Sequence, residues 1–203
     1  PKKLLKMKKT SYFKVLCLSL FLGTSVSALY AQPSANKESE NSNENSLIFI
    51  DRYYAMRDTH KELKDYFGNF ANSSYTLEIF LGRLHEIKKA NPELKKYFGN
   101  YASSNYNLKD FLGRYNEIKA AYPKMEDQYG NYAASKWPLE KYIERYYQIK
   151  DSYPKLEKYY GSYAGGYQPL EEFAKRYYGI KASYPKLDEA HGDYAASYHS
   201  LQK

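Results

Sequence analysis

The sequence predicts an all-α fold: a right-handed α-solenoid of five tandem 31-residue helical hairpins, each a long helix followed by a shorter, Pro-initiated one. Three observations predict it. Arg recurs at Arg52, Arg83, Arg114, Arg145 and Arg176, Gly at Gly68, Gly99, Gly130, Gly161 and Gly192, and Pro at Pro92, Pro123, Pro154 and Pro185, without insertion. Within each unit, apolar residues fall three and four apart. Small residues close every unit at the same place. A lone hairpin of this size cannot shield its apolar edge, so the units must stack on their neighbours.

The long helix is clearest over Asn107 to Tyr122. Leu108, Phe111, Leu112, Tyr115, Ile118 and Tyr122 form one stripe. The columns repeat: Phe111 corresponds to Phe49, Phe80, Tyr142 and Phe173, and Ile118 to Met56, Ile87, Ile149 and Ile180. Thr76 and Asn107 offer capping oxygens at the helix start, and Pro138 and Pro169 take that place in later units. Tyr122-Pro123 ends the helix, because proline disfavours helical backbone in the residue before it and suits the first turn of a new helix.

The shorter helix then carries Met125, Tyr129, Tyr132 and Ala133 on one face. The phased glycine is either a left-handed C-terminal residue or, with the alanine three positions on, a notch where a neighbouring helix comes close. The notch is favoured, since a seven-residue helix would be marginal. One long kinked helix is the rival architecture, because the three-four spacing runs through the proline. The glycine and the small pairs (Ser103-Ser104, Gly165-Gly166) argue against it. The stack resembles tetratricopeptide-type solenoids in architecture alone: the period is 31 rather than about 34, and their Trp, Gly and Ala pattern is missing.

Residues 1–31 read as a secretory leader, cleaved after Ala28 or Ala31. Six lysines precede an apolar run from Val15 to Leu22, too short for the ~20 residues that span a bilayer. An uncleaved anchor is the rival. Residues 32–46 read as a disordered polar linker, and 47–203 as one repeat domain. The expected location is outside the cytoplasm, periplasmic or extracellular. Six of the 31 basic residues lie in the leader, so the rest carries 25 basic against 23 acidic side chains, a net of +2. That removes the charge argument for nucleic acid. The single cysteine, Cys17, lies in the leader, so the mature chain has no thiol chemistry.

No catalytic constellation stands out. Phosphate-binding glycine loops, nucleophile elbows and H-E-x-x-H motifs are missing. Gly161-Ser162-Tyr163-Ala164-Gly165 puts Tyr where the elbow serine belongs. His60, His85, His191 and His199 share no repeated column or zinc spacing and read as exposed substitutions. His191, with Ala190, reads as a solvent-facing end of the array. No metal and no cofactor is expected.

Aromatics are the unusual material, with 24 Tyr, seven Phe and one Trp in residues 32–203. Most belong to the seam between helices. Tyr54, Tyr147 and Tyr178 sit to one side of it and should be partly exposed, and Tyr106 and Trp137 lie at the turn before a long helix. Exposed rings in register suit sugars or an extended peptide. Arg83, Arg114, Arg145 and Arg176 form a ladder that could grip an acidic partner, although packing of their stems, with Arg83–Glu86 and Arg114–Glu117 pairs, is the favoured reading. The expected function is therefore an exported, non-enzymatic helical-repeat binding module for a protein or peptide partner. The alternatives are glycan or cell-wall binding through the Tyr columns, and a structural envelope protein that self-associates through Leu47, Ile48, Phe49 and Ile50.

Overall fold

The computed structural model describes residues 48–201 of the 203-residue chain. The leader, the linker and Leu47 lie outside the described residues. Those described are all helical apart from turns and one isolated bridge, with ten α-helices packed in adjacent pairs. The long members are α1 (Phe49–Thr59), α3 (Leu77–Ala90), α5 (Leu108–Ala121), α7 (Leu139–Ser152) and α9 (Leu170–Ser183). The short members, six residues each, are α2 (Phe67–Asn72), α4 (Phe98–Ser103), α6 (Tyr129–Ala134), α8 (Tyr160–Gly165) and α10 (His191–Ala196).

The long helices start and stop where the residues require. The Thr76 side chain accepts from the Ile79 amide and Asn107 from the Asp110 amide, each satisfying a first-turn N–H. At the other end Asn91, Tyr122, Tyr153 and Tyr184 leave the helix at φ between −135° and −140°. Their backbone is outside the helical region at this point, and the single-helix alternative is thereby broken. The segment after the break is not one short α-helix. It is a 3₁₀ turn, such as Pro92–Tyr97, kinked at Leu94 and followed by α4. Leu94, Leu156 and Leu187 are buried in the core at the kink.

The seam is filled by the repeated columns. Phe49, Phe80, Phe111, Tyr142 and Phe173 are fully buried, as are Ile87, Ile118, Ile149 and Ile180. Each long helix packs on the short helix of its own pair, while the short helices pack on one another in succession. Edge-on ring contacts such as Tyr101 on Phe111 and Tyr132 on Tyr142, both with centroids 5.3 Å apart, join each short helix to the long helix of the next pair.

The stack does not stay open. Helix α10 packs back against α2, so the short helices form a closed inner ring. The Phe49 amide donates to Ser200 O at 2.9 Å beside a parallel bridge between Ile48 and Ser200, and Phe49 meets the Tyr194 ring at 5.3 Å. His199 Nε2 lies 3.2 Å from both Asn72 O and Ser73 O. The array closes into a ring, and the physical reason is wedge-shaped units. Six-residue inner helices rich in Gly and Ala face 14-residue outer helices carrying aromatic rings, so each unit is narrower toward the axis.

Closure corrects two sequence readings. Ile48, Phe49 and Ile50, read as a self-association surface, are buried against the last unit and covered by the chain's own C-terminal end. His191 and Ala190, read as a solvent-facing cap, are each 1% exposed, because the last unit has the first as its neighbour. His199 is fully buried for the same reason.

Candidate functional site

The repeated arginines are spent on the main chain. Arg83 Nη2 donates to Tyr101 O at 2.8 Å, Ser104 O at 2.9 Å and Tyr106 O at 2.6 Å, with its guanidinium 4.3 Å from the Tyr101 ring centroid. Arg114, Arg145 and Arg176 repeat the pattern on Tyr132, Tyr163 and Tyr194 and on the turn that follows each. A planar fork can serve several carbonyls at once, and the C-terminal end of a short helix offers carbonyls without helical partners. Arg145 is 7% exposed, and burial lowers its pKa from the ordinary arginine value. The structure thus places Arg83, Arg114, Arg145 and Arg176 inside the seam, holding each short helix to its turn. The expected Arg–Glu pairs do not form. Glu86 and Glu117 instead accept from the Tyr101 and Tyr132 hydroxyls, and burial followed by these bonds raises both tyrosine pKa values.

The turn aromatics bridge neighbours. Tyr75 donates to Ser104 O at 3.0 Å, and Trp137 Nε1 to Gly166 O at 2.8 Å. Tyr106 lies 5.0 Å from the Arg114 guanidinium, half-buried in the same register. Gln168 and His199 continue this column, Gln168 donating to Ser197 O at 2.7 Å and His199 reaching back to the first unit. Tyr106 and Trp137 are therefore partly seam, with an edge toward the rim.

Of the outer column, Tyr147 is 47% and Tyr178 52% exposed, whereas Tyr54 is half-buried under Arg57, 4.1 Å from its ring. Tyr147 and Tyr178 each stand edge-on to the preceding tyrosine, with centroids 5.5 and 5.2 Å apart. Of the histidines, His85 is exposed and His60 half-buried. Among the described residues no group of three His, Cys, Asp or Glu is placed to hold a metal.

The ring is concave at its axis. All five short helices and their turns line a cavity of about 120 Å³. Asn69, Asn100, Asn131, Ser162 and Asp193 line it, one from each short helix at the position after the phased glycine. The glycines fit this arrangement. A Cβ on Gly99 would collide with Asn69, one on Gly130 with Asn100, and one on Gly68 with Asp193. They are close-approach notches rather than left-handed caps. Asn100 Nδ2 donates to Asn131 Oδ1 at 3.2 Å.

Asp193 is the exception in that column. Its carboxylate makes no ion pair or hydrogen bond among the described residues, and burial pushes its pKa up to about 7. One arc of the cavity mouth is equally distinctive. Lys136 Nζ sits 4.0 Å from the Tyr167 ring centroid and 4.6 Å from Trp137. Tyr167 stands edge-on to Tyr198 at 6.4 Å, and Tyr198 stacks on His199 at 4.5 Å. Tyr167 and Tyr198 are 46% and 51% exposed. Ser74 and Asn105 hold the equivalent places on the opposite arc. Sequence reasoning missed this rim, and it met Asp193 only as a weak accidental metal site with His191 and His199, not as a member of the cavity column. A polar column one step from the glycine, on otherwise apolar short helices, was the signal for Asp193.

No protein-family model matches this sequence, no curated protein matches it, and no solved structure matches it.

Proposed function

We propose that the chain is an exported, non-enzymatic helical-repeat binding module that docks a protein or peptide partner at the mouth of its axial cavity. Five hairpin units wound in a right-handed sense are part of this reading. The observation that carries it is the rim of Lys136, Tyr167 and Tyr198, two exposed aromatic rings and a cation in mutual contact beside a polar cavity. Rings of this kind give contact area at low entropic cost, and a neighbouring cavity fixes register. The docking surface is the ring face around the cavity rather than an array of arginines, because those donors are held by carbonyls.

The test is enrichment from a displayed random-peptide library. Sequences should be selected by the wild type and released by Tyr167→Ser/Tyr198→Ser. Enrichment that survives this double substitution, or no enrichment in repeated selections, refutes the reading.

Glycan or cell-wall binding is a second reading, favoured by the exposed Tyr147 and Tyr178 rings in adjacent units. Co-sedimentation with purified cell wall, lost in Tyr147→Ala/Tyr178→Ala, tests it, and unchanged pelleting removes it. Self-association through Ile48, Phe49 and Ile50 is not carried forward, since those side chains are covered within the chain.

A further inference from the structure

We infer that the axial cavity is a binding site for a single primary ammonium group, held by the Asp193 carboxylate and the ring of side-chain oxygens around it. This deepens the docking reading above and rests on it for the source of the ligand. The argument begins with charge. The ionisable groups of the lining are Asp193, Lys136, Tyr167 and Tyr198. Facing Asp193, α2 supplies Gly68 and Asn69, and α8 supplies Ser162. Neither of those elements lends it a cation. Lys136 is held instead on the Tyr167 and Trp137 rings. A partly buried carboxylate on the cavity wall without a partner is under-compensated, so a cation that enters the cavity is stabilised beside it.

The chemistry of the ring selects the cation. Asn69, Asn100, Asn131 and Ser162 offer neutral oxygens, and an ammonium has three N–H donors and no acceptor. One carboxylate neutralises one positive charge, whereas a divalent metal would keep a net charge in the enclosed space. Size adds a second limit. A cavity of about 150 Å³ admits benzene, so about 120 Å³ takes an ammonium with a short alkyl stem and not a hexose ring. At the mouth, Tyr167 and Tyr198 offer faces for the methylenes of that stem, as a lysine side chain would present them.

Trp137 is the only tryptophan of the chain and lies beside the mouth, so its fluorescence reads binding. The titrants are propylammonium chloride, the peptide acetyl-Gly-Lys-Gly-amide, the same peptide acetylated on its side-chain nitrogen, and sodium chloride at matched ionic strength. The lysine peptide or propylammonium should give a saturable change, and the acetylated peptide and sodium should not. Asp193→Asn places in the last unit the residue that Asn69, Asn100 and Asn131 already supply, and it should weaken binding about tenfold or more, the scale of a lost charged hydrogen bond. Because a proton competes with the ligand for Asp193, affinity should fall about tenfold from pH 8 to pH 6 for a carboxyl titrating near 7.

Equal affinity for propylammonium and the lysine peptide supports the site with a free amine as ligand, and tighter peptide binding supports it with a partner's lysine. Equal response to the acetylated peptide or to sodium, or unchanged affinity in Asp193→Asn, overturns it. A library-selected peptide that binds Asp193→Asn as well as wild type overturns the ammonium site and leaves the docking reading standing. Propylammonium binding without any peptide ligand does the reverse.

Discussion

Replacing Asp193 by Asn should stabilise the protein, by an amount that depends on pH in a defined way. In the unfolded chain this carboxyl titrates near 3.8, and in the ring burial raises it to about 7. The difference of about three units corresponds to about 4 kcal/mol, at 1.36 kcal/mol per unit. The side chain is partly exposed, and solvent screens some of this, so a gain of about 2–4 kcal/mol above pH 8 is the expectation. The sign follows from proton counting. Between pH 4 and pH 7 the folded protein holds a proton that the unfolded chain has released, so wild-type stability from this group is complete below pH 4 and lost as pH rises through 7. Asparagine has no such proton. The advantage of Asp193→Asn should therefore be near zero at pH 4, grow to pH 7 and level off above pH 8. Urea unfolding of both proteins at pH 4, 6, 8 and 9, followed by circular dichroism, gives the difference directly. A gain that is the same at every pH, or a loss at pH 8, refutes the claim that Asp193 is held without a counter-charge.

Three further outcomes follow from the packing. Gly130→Ala should cost about 1–3 kcal/mol, because its Cβ collides with Asn100 and the Tyr97 ring, whereas Gly113→Ala, exposed in mid-helix with nothing near its Cβ, should gain about 0.5–1 kcal/mol. Denaturant midpoints of the two variants should move in opposite directions. Arg145→Lys keeps the charge but loses the fork that serves Tyr163 O, Ala164 O and Gln168 O, and should cost about 2–3 kcal/mol in the same assay. Phe49→Ala removes a fully buried ring from the closure and should cost about 3–5 kcal/mol, with increased hydrogen exchange concentrated in α1, α2 and α10. A uniform increase around the ring would mean that the closure is not a separate point of opening.

Much of this molecule was legible in its repeats. The long-helix stripe, the exit before each proline and the glycine notch follow from local rules, and Phe111, Ile118 and Gly130 occupy the places those rules assign. The 3₁₀ turn was not legible. Leu94 fits the apolar stripe whether the backbone around it is α or 3₁₀, so periodicity cannot separate the two. Closure was hidden for a different reason: no single residue sets the rotation from one unit to the next, and small differences in inner and outer width accumulate around the array. Its traces were present at both ends. The N-terminal helix begins with Ile48, Phe49 and Ile50, and Phe49 and Ile50 pack with Leu187, Ala190 and Tyr194 of the last unit. His199, two steps along the column after Tyr75, Tyr106 and Trp137, was the most direct trace, because Tyr75, Trp137 and Gln168 each bridge to the following unit and His199 has only the first to reach.

Closure also changes what a departure from the repeat means. In an open array the end units differ because they face water, so their unusual residues say little about function. In a ring every unit has neighbours on both sides, and the demand on a packing column is the same all round. The columns obey this: the five arginines each grip carbonyls, and Phe or Tyr fills the seam opposite each of them. Asp193 among Asn and Ser, and Lys136, Tyr167 and Tyr198 against Ser74 and Asn105, break the symmetry at positions where packing does not require it. Both breaks border the same cavity, one at its wall and one at its mouth. A substitution tolerated only for stability would have no reason to cluster there, and an uncompensated carboxylate reduces stability. The asymmetry of the axis is therefore the feature that a binding role explains and that folding alone does not.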